Sequence, residues 1–304
     1  MELVMARTMG MCSGVKRAIS LAQKTLEQKE RDPEARKDVS VTGLLVHNHR
    51  VTDTLASQGL RILDGQEIPA ADSTVLIRAH GITDSRRREL AGRGATLCDA
   101  TCPLVFHAQT AIRQAASQGR HIVIVGVPGH GETVAMMGVE LADGTPVECT
   151  LVASAQDVQK LSPDKPITVF VQSTFPQGQW EDIERMLGET ILSPNLVFGN
   201  SICPASLQRR REVLELCGAC EAVIVIGGRH SSNTRALAQL VQERKIPVFH
   251  IENADEIPVS IVGYEIIGIT AGASTPQEVI SEVCVHLRSL AEAGGHPYKE
   301  RVQS

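Results

Sequence analysis

Asp99-Ala100-Thr101-Cys102-Pro103-Leu104-Val105 lies about one third of the way along the chain, and its reading decides the fold. A short apolar run ends in a carboxylate. A cysteine follows, and a proline opens a helix-like stretch, Phe106 to Ser117. Proline suits a first helical turn, where its missing N–H removes no hydrogen bond. The same event occurs twice more. Met9-Gly10-Met11-Cys12-Ser13-Gly14-Val15 leads into Lys16 to Leu26, and Ser201-Ile202-Cys203-Pro204-Ala205-Ser206 leads into Leu207 to Leu216. The spacings are 102 − 12 = 90 and 203 − 102 = 101 residues. Three cysteines at three strand-to-helix junctions predict three copies of one unit.

Working outward, apolar runs bounded by glycine or polar turns predict strands over 2–6, 39–46 (interrupted at Gly43), 74–79, 95–99, 121–126, 168–172, 222–227 and 266–270. Helices are predicted over 52–58, 84–91, 178–186 and 235–244, and the charged segment 28–38 reads as a surface connection. Thr275 with Glu278 fits a capping box, with Pro276 in the first helical turn. The repeat is visible in letters: Asp64-Gly65-Gln66-Glu67-Ile68-Pro69 precedes the third strand, and Asn253-Ala254-Asp255-Glu256-Ile257-Pro258 precedes the last. Strands alternating with helices make parallel sheets. The expected fold is α/β: three similar units with mostly parallel sheets, in pseudo-threefold arrangement around a common centre. The expected boundaries are 1–101, 102–200 and 201–304, the last unit carrying a C-terminal helix and tail.

Composition excludes several classes. A net charge of −5 gives no electrostatic footprint for nucleic acid, and 3% aromatic residues with a single Trp supply no platform for stacked bases. No apolar run reaches the roughly 18 residues that cross a bilayer. The N-terminus lacks the charged and apolar regions of a signal peptide. Eight cysteines in such a chain read as reduced thiols or metal ligands, which predicts a cytoplasmic protein without a disulfide framework.

In open parallel sheets, ligands bind beyond the carboxyl ends of the strands. Three polar sets fall there: Thr42 to Asn48 with His47, Val125 to Glu132 with His130, and Ile226 to Asn233 with Ser231, Ser232 and Asn233. A second set of strand ends carries His80, then Ser173, then Ser274. Three thiolates leave a tetrahedral zinc site incomplete, but they suit a cubane iron–sulfur cluster with one open iron. Imidazoles, hydroxyls and a helix start at Ser231 suit a phosphate or diphosphate. Glu132, beside His130, is the candidate for proton delivery.

Each feature has a plainer alternative. A lone cysteine before a helix packs as a small hydrophobe. Ser231 and Ser232 fit as helix caps, and Glu132 as a solvated loop carboxylate. Cys217-Gly218-Ala219-Cys220 has no second such pair and reads as structural. Cys98, Cys149 and Cys284 fit strand or helix cores. Arg209-Arg210-Arg211 reads as a solvated helix face. His107, His121, His250, His286 and His296 have no repeat mates and read as structural or exposed.

Taken together, Gly10 to Val15, Val46 to Asn48, Ala79 to Gly81, Asp99 to Val105, Gly129 to Glu132, Gln172 to Thr174, Ser231 to Asn233 and Thr270 to Ser274 resemble the 4-hydroxy-3-methylbut-2-enyl diphosphate reductase family across nearly the whole chain. The resemblance implies a three-lobed α/β fold with a central 4Fe–4S cluster held by Cys12, Cys102 and Cys203, and no nucleotide cofactor. It implies diphosphate contacts from His47, His80, His130, Ser231, Ser232, Asn233 and Ser274, and proton relay by Glu132 with help from Ser173. The implied reaction is reductive removal of an allylic hydroxyl, giving isopentenyl and dimethylallyl diphosphate, with electrons from a ferredoxin or flavodoxin. The chain departs from the family where His130-Gly131-Glu132 replaces the usual His-Pro-Glu, which predicts a looser loop. Ser173 stands where threonine is usual, and Pro204 follows the third cysteine. Two other classes fit three cysteines in pseudo-threefold units: a hydro-lyase or quinolinate-synthase-like cluster enzyme, and a non-catalytic iron–sulfur sensor.

Overall fold

The computed structural model describes residues 1–31, 38–162, 165–191, 194–199 and 201–303. In chain order the strands are β1 (Glu2–Met5), β2 (Val39–Thr42), β3 (Arg61–Leu63), β4 (Thr74–Ile77), β5 (Thr96–Asp99), β6 (His121–Val125) and β7 (Cys149–Val152). They continue as β8 (Ile167–Val171), β9 (Leu196–Phe198), β10 (Ala222–Ile226), β11 (Val248–Ile251), β12 (Ile266–Ala271) and β13 (Lys299–Val302). The helices are α1 (Ser13–Arg31), α2 (His49–Ser57), α3 (Asp84–Gly92), α4 (Pro103–Ser117), α5 (Gly131–Met137), α6 (Gln177–Thr190), α7 (Pro204–Ala219), α8 (Ser232–Glu243) and α9 (Gln277–Ala293). Of the charged connection expected over 28–38, residues 28–31 end α1, and 32–37 lie outside the described residues.

The strands form three sheets of order β3-β2-β4-β5, β7-β6-β8-β9 and β11-β10-β12-β1-β13, and every strand pair is parallel. The expectation of three parallel-sheet α/β units is met. The three orders are one order. In each sheet the first strand of the unit is flanked by the second on one side and the third on the other. The strand order therefore reverses between β2 and β4, between β6 and β8, and between β10 and β12, where such sheets open a crevice at their carboxyl ends. The fourth position is held by β5, β9 and β1. In the chain these three strands run on to Cys102, Cys203 and Cys12. The first strand thus completes the last sheet, with Leu3 opposite Ile267 and Met5 opposite Ile269.

The described chain divides into two compact units. The terminal unit comprises 1–15, 47–51 and 203–304 and holds the sheet of β1 and β10 to β13. Ile224 and Ile226 of β10 face one core with Leu3, Ile269 and Leu287, while Val223 and Val225 face another with Val4, Leu216 and Leu237. The central unit comprises 16–46 and 52–202 and holds the other two sheets. There β6 divides likewise, Ile122 and Ile124 to one side and Val123 and Val125 to the other. A parallel strand covered on both faces must be apolar throughout, which is why these strands read as unbroken runs.

Two local expectations fail. Thr275 does not cap α9: its hydroxyl donates to the Ile226 carbonyl at 3.0 Å, and Pro276 takes the N-cap position without a side-chain bond. The expected tail is a strand, β13, which pairs with β1 through Lys299 N–H to Met1 O at 3.1 Å and Gln303 N–H to Met5 O at 2.9 Å.

Candidate active site

In the central unit the Asp99-to-Cys102 segment is fixed from several sides. Asp99 Oδ1 accepts the Thr101 N–H at 2.9 Å, and Oδ2 accepts the Arg87 guanidinium at 2.8 Å. Burial raises the Asp99 pKa, but these donors outweigh it and hold the carboxyl below its ordinary range. Arg17 donates to the Thr101 and Asp99 carbonyls at 3.0 and 3.1 Å, and the Cys102 N–H bonds Ala79 O at 2.9 Å. Cys102 is the N-cap of α4 and Pro103 opens the helix. A sulfur there stands at the positive end of the helix dipole.

In the terminal unit Cys203 caps α7 in the same way, and Cys12 precedes α1 with its Sγ accepting the Val15 N–H at 3.5 Å. Helix α7 also holds the turn that carries Cys12. Glu212 accepts Thr8 N–H at 2.6 Å and Thr8 Oγ1–H at 2.9 Å, and Arg209 Nη2 donates to Gly10 O at 2.6 Å. The Cys12 N–H bonds Ala273 O at 3.0 Å. Arg209 is 2% exposed, and its Nε has no hydrogen-bond partner among the described residues. Burial lowers its pKa, while the charges of Cys12, Cys203 and Glu212 raise it. This corrects the reading of Arg209-Arg210-Arg211 as a solvated face: Arg211 is exposed, but Arg209 is a buried cation within electrostatic reach of two cysteines.

The strand-end groups of the central unit meet in pairs. The His80 and His130 rings are edge-on, with centroids 5.2 Å apart. His130 caps α5, its Nδ1 accepting the Glu132 N–H at 3.3 Å. That bond requires a neutral ring and leaves Nε2–H as the donor. Glu132 is 4% exposed. Its Oε1 accepts the Ser173 N–H and its Oε2 the Ser173 hydroxyl, both at 2.8 Å. Burial raises the Glu132 pKa, and the two Ser173 bonds only partly oppose it. The reading of Glu132 as a solvated loop carboxylate is excluded.

In the terminal unit Ser231 is indeed a cap, accepting the Thr234 N–H at 3.4 Å. Asn233 Oδ1 accepts the Ala273 N–H at 2.9 Å, and Ser274 donates to His47 O at 2.9 Å. The Ser232 hydroxyl is half-buried and accepts from Arg235 at 3.5 Å. These bonds join the ends of β10 and β12 to the His47 backbone.

A family profile described as LytB protein matches residues 3–288. The chain belongs to the LytB family. Among LytB relatives, the 4-hydroxy-3-methylbut-2-enyl diphosphate reductase of Solidesulfovibrio magneticus is 35% identical over 93% of this chain and 98% of its own. The protein of that name from Caldanaerobacter subterraneus is 33% identical over 95% of this chain and 98% of its own. The solved Plasmodium falciparum E-1-hydroxy-2-methyl-but-2-enyl-4-diphosphate reductase superposes with a TM-score of 0.86 at 24% identity, over 99% of this chain and 92% of that one. A second solved structure, (E)-4-hydroxy-3-methyl-but-2-enyl diphosphate reductase, the terminal enzyme of the non-mevalonate pathway, gives 0.69 at 28% identity, over 95% of this chain and 99% of that one.

The remaining cysteines of this LytB chain behave as packed thiols. All eight are free. Burial pushes Cys149, Cys220 and Cys284 up to about 11 and raises Cys217. His121 bonds Thr150 Oγ1 at 2.8 Å and His250 bonds Gly227 O at 2.9 Å, so both are structural. No described helix is long and apolar enough to cross a membrane. The loop expected to be looser at Gly131 is packed instead: a Cβ there would stand 2.8 Å from Arg78 Nη2 and 3.2 Å from His80 Cβ. Sequence reasoning missed Arg78 and Arg209 because an arginine beside a motif reads as surface. The available signal was position, since each stands within six residues of a motif residue at a strand end or helix start.

Proposed function

We propose that this chain reductively removes the allylic hydroxyl of 4-hydroxy-3-methylbut-2-enyl diphosphate, yielding isopentenyl and dimethylallyl diphosphate, the last step of the methylerythritol phosphate route. The stretches 1–101, 102–200 and 201–304 each contribute one cysteine, Cys12, Cys102 and Cys203, as ligands of a 4Fe–4S cluster. The donor set fits that group: three free thiols at helix starts, with a buried arginine within electrostatic reach of two of them, its Nε without a partner among the described residues. When bound, the cluster supplies electrons and a Lewis-acidic iron for the substrate oxygen. The electron donor is a ferredoxin or flavodoxin.

The chain's own residues bind the anion and handle protons. His47, His80, His130, Ser231, Ser232, Asn233 and Ser274 bind the diphosphate, His130 through Nε2–H and Ser274 once its hydroxyl turns from His47 O. Removing the hydroxyl takes two electrons and two protons and releases water. Glu132 is the acid: burial keeps it protonated at higher pH than a free carboxyl, and Ser173 fixes both oxygens and relays the proton. The buried carboxyl beside the His80–His130 pair is the observation that carries this reading.

Glu132→Gln tests it. Reconstituted anaerobically and assayed with a chemical reductant, the variant should keep substrate affinity while turnover falls by about 10²–10⁴, the usual contribution of a positioned acid. Near-wild-type turnover at saturating substrate overturns the assignment.

A further inference from the structure

Arg78 follows β4 and stands two residues before His80. Its N–H bonds Thr42 Oγ1 at 3.2 Å, and its Nε donates to Gly81 O at 3.4 Å across the turn that presents His80. Among the described residues no carboxylate pairs with it, although burial is deep enough to pull its pKa below the ordinary arginine value. Arginine stays charged at neutral pH even so. A half-buried cation with no carboxylate partner among the described residues calls for a reason.

The packing supplies one. The guanidinium lies between two glycines. A Cβ on Gly43 would stand 3.0 Å from Nη1, and a Cβ on Gly131 would stand 2.8 Å from Nη2 and 3.0 Å from Cζ. Gly43 follows β2 at φ +82°, and Gly131 is the first residue of α5, between His130 and Glu132. The side chain therefore spans from the end of β2 to the start of α5, behind the turn that carries His80. Any side chain at position 131 contests the space that the guanidinium fills.

We propose that Arg78 is a positioning residue of the diphosphate site: seated between Gly43 and Gly131, it braces the His130-to-Glu132 segment and sets a fixed positive charge behind His80 and His130. The proposal rests on the diphosphate reading given above. The guanidinium supplies a fixed charge, which a neutral ring such as His130, bonded through Nδ1 to the Glu132 N–H, lacks. A point charge in partly buried surroundings acts over several ångströms, so direct contact with the ligand is not required.

The test uses the cluster-reconstituted protein and inorganic diphosphate as probe, with affinity from calorimetry and stability from melting. Arg78→Met should weaken diphosphate binding about tenfold and flatten its salt dependence, as expected for loss of one partly buried charge. Arg78→Lys should retain most of the affinity, because it keeps the charge. Gly131→Ala should lower the melting temperature in the wild-type background and much less in the Arg78→Met background, because the guanidinium can make room only by leaving its bond to Gly81 O, a bond that Met does not make. Unchanged diphosphate affinity in Arg78→Met, or an equal cost of Gly131→Ala in both backgrounds, overturns the inference. If the wild type itself fails to bind diphosphate, the diphosphate reading falls, and this inference falls with it. Wild-type binding with Arg78→Met unchanged sinks the inference alone.

Discussion

Glu132 shows how one carboxyl takes its character from its surroundings. Two Ser173 donors favour its charged form, yet burial prevails and its pKa rises. The same balance makes it a pH-dependent weight on the fold. Below the unfolded-state pKa, both folded and unfolded chains carry the proton, and stability is at its full value. As pH rises through the window up to the raised native value, the unfolded chain releases its proton first, so stability falls. Glu132→Gln removes that term. Urea unfolding of the apo protein between about pH 4.5 and 8 should show the variant gaining on the wild type as pH rises; a constant difference across the range would contradict the burial argument. Arg209 and Arg78 are the counterparts among cations: Arg209 is buried and Arg78 half-buried, and each stands beside a group assigned to the chemistry.

At the scale of elements, legibility followed burial. The runs of β6 and β10 were plain in the sequence because both faces of these strands are covered, so no polar residue interrupts them. The edge strands β3, β7, β9 and β11 were missed, being three or four residues long with partly exposed faces. Helix α5 was missed because it is seven residues long and begins inside a motif already read as a loop. The candidate residues at strand ends were legible because the repeat set three examples side by side. Arg78 and Arg209 were not, since nothing local distinguishes a buried arginine from a solvated one. Strand β13 was also invisible: Lys299 to Val302 is exposed throughout and finds its partner at the opposite end of the chain. Its contribution is measurable. Ending the chain at Tyr298 removes its backbone bonds to β1 and the Lys299 and Arg301 ion pairs with Glu2. At about 1 kcal/mol net per backbone bond, the loss should be about 2–4 kcal/mol in denaturant unfolding. Hydrogen exchange at Leu3 and Met5, which face β13, should quicken; unchanged protection there would mean that β13 contributes nothing to the edge.

For the whole molecule, three cysteines are set apart from the other five by where they stand. Cys12, Cys102 and Cys203 each follow the fourth strand of a parallel sheet, at a helix start. Cys149, Cys220 and Cys284 lie at apolar packing positions, with pKa values pushed to about 11, which leaves few thiolates for metal at neutral pH. Serine at position 12, 102 or 203 should abolish or sharply reduce visible absorption and the iron and sulfide content after anaerobic reconstitution. Cys217→Ser and Cys220→Ser should leave both intact; the opposite pattern would refute the ligand assignment.

The place of β1 in the last sheet also imposes a schedule. Its neighbour β12 begins 266 − 2 = 264 residues later in the chain. At the roughly 5–20 residues per second of protein synthesis, the wait is on the order of 10–50 s. For that time Leu3 and Val4, buried in the finished protein, meet whatever the nascent chain meets. The cysteine behind them is translated first and delivered to its sheet last.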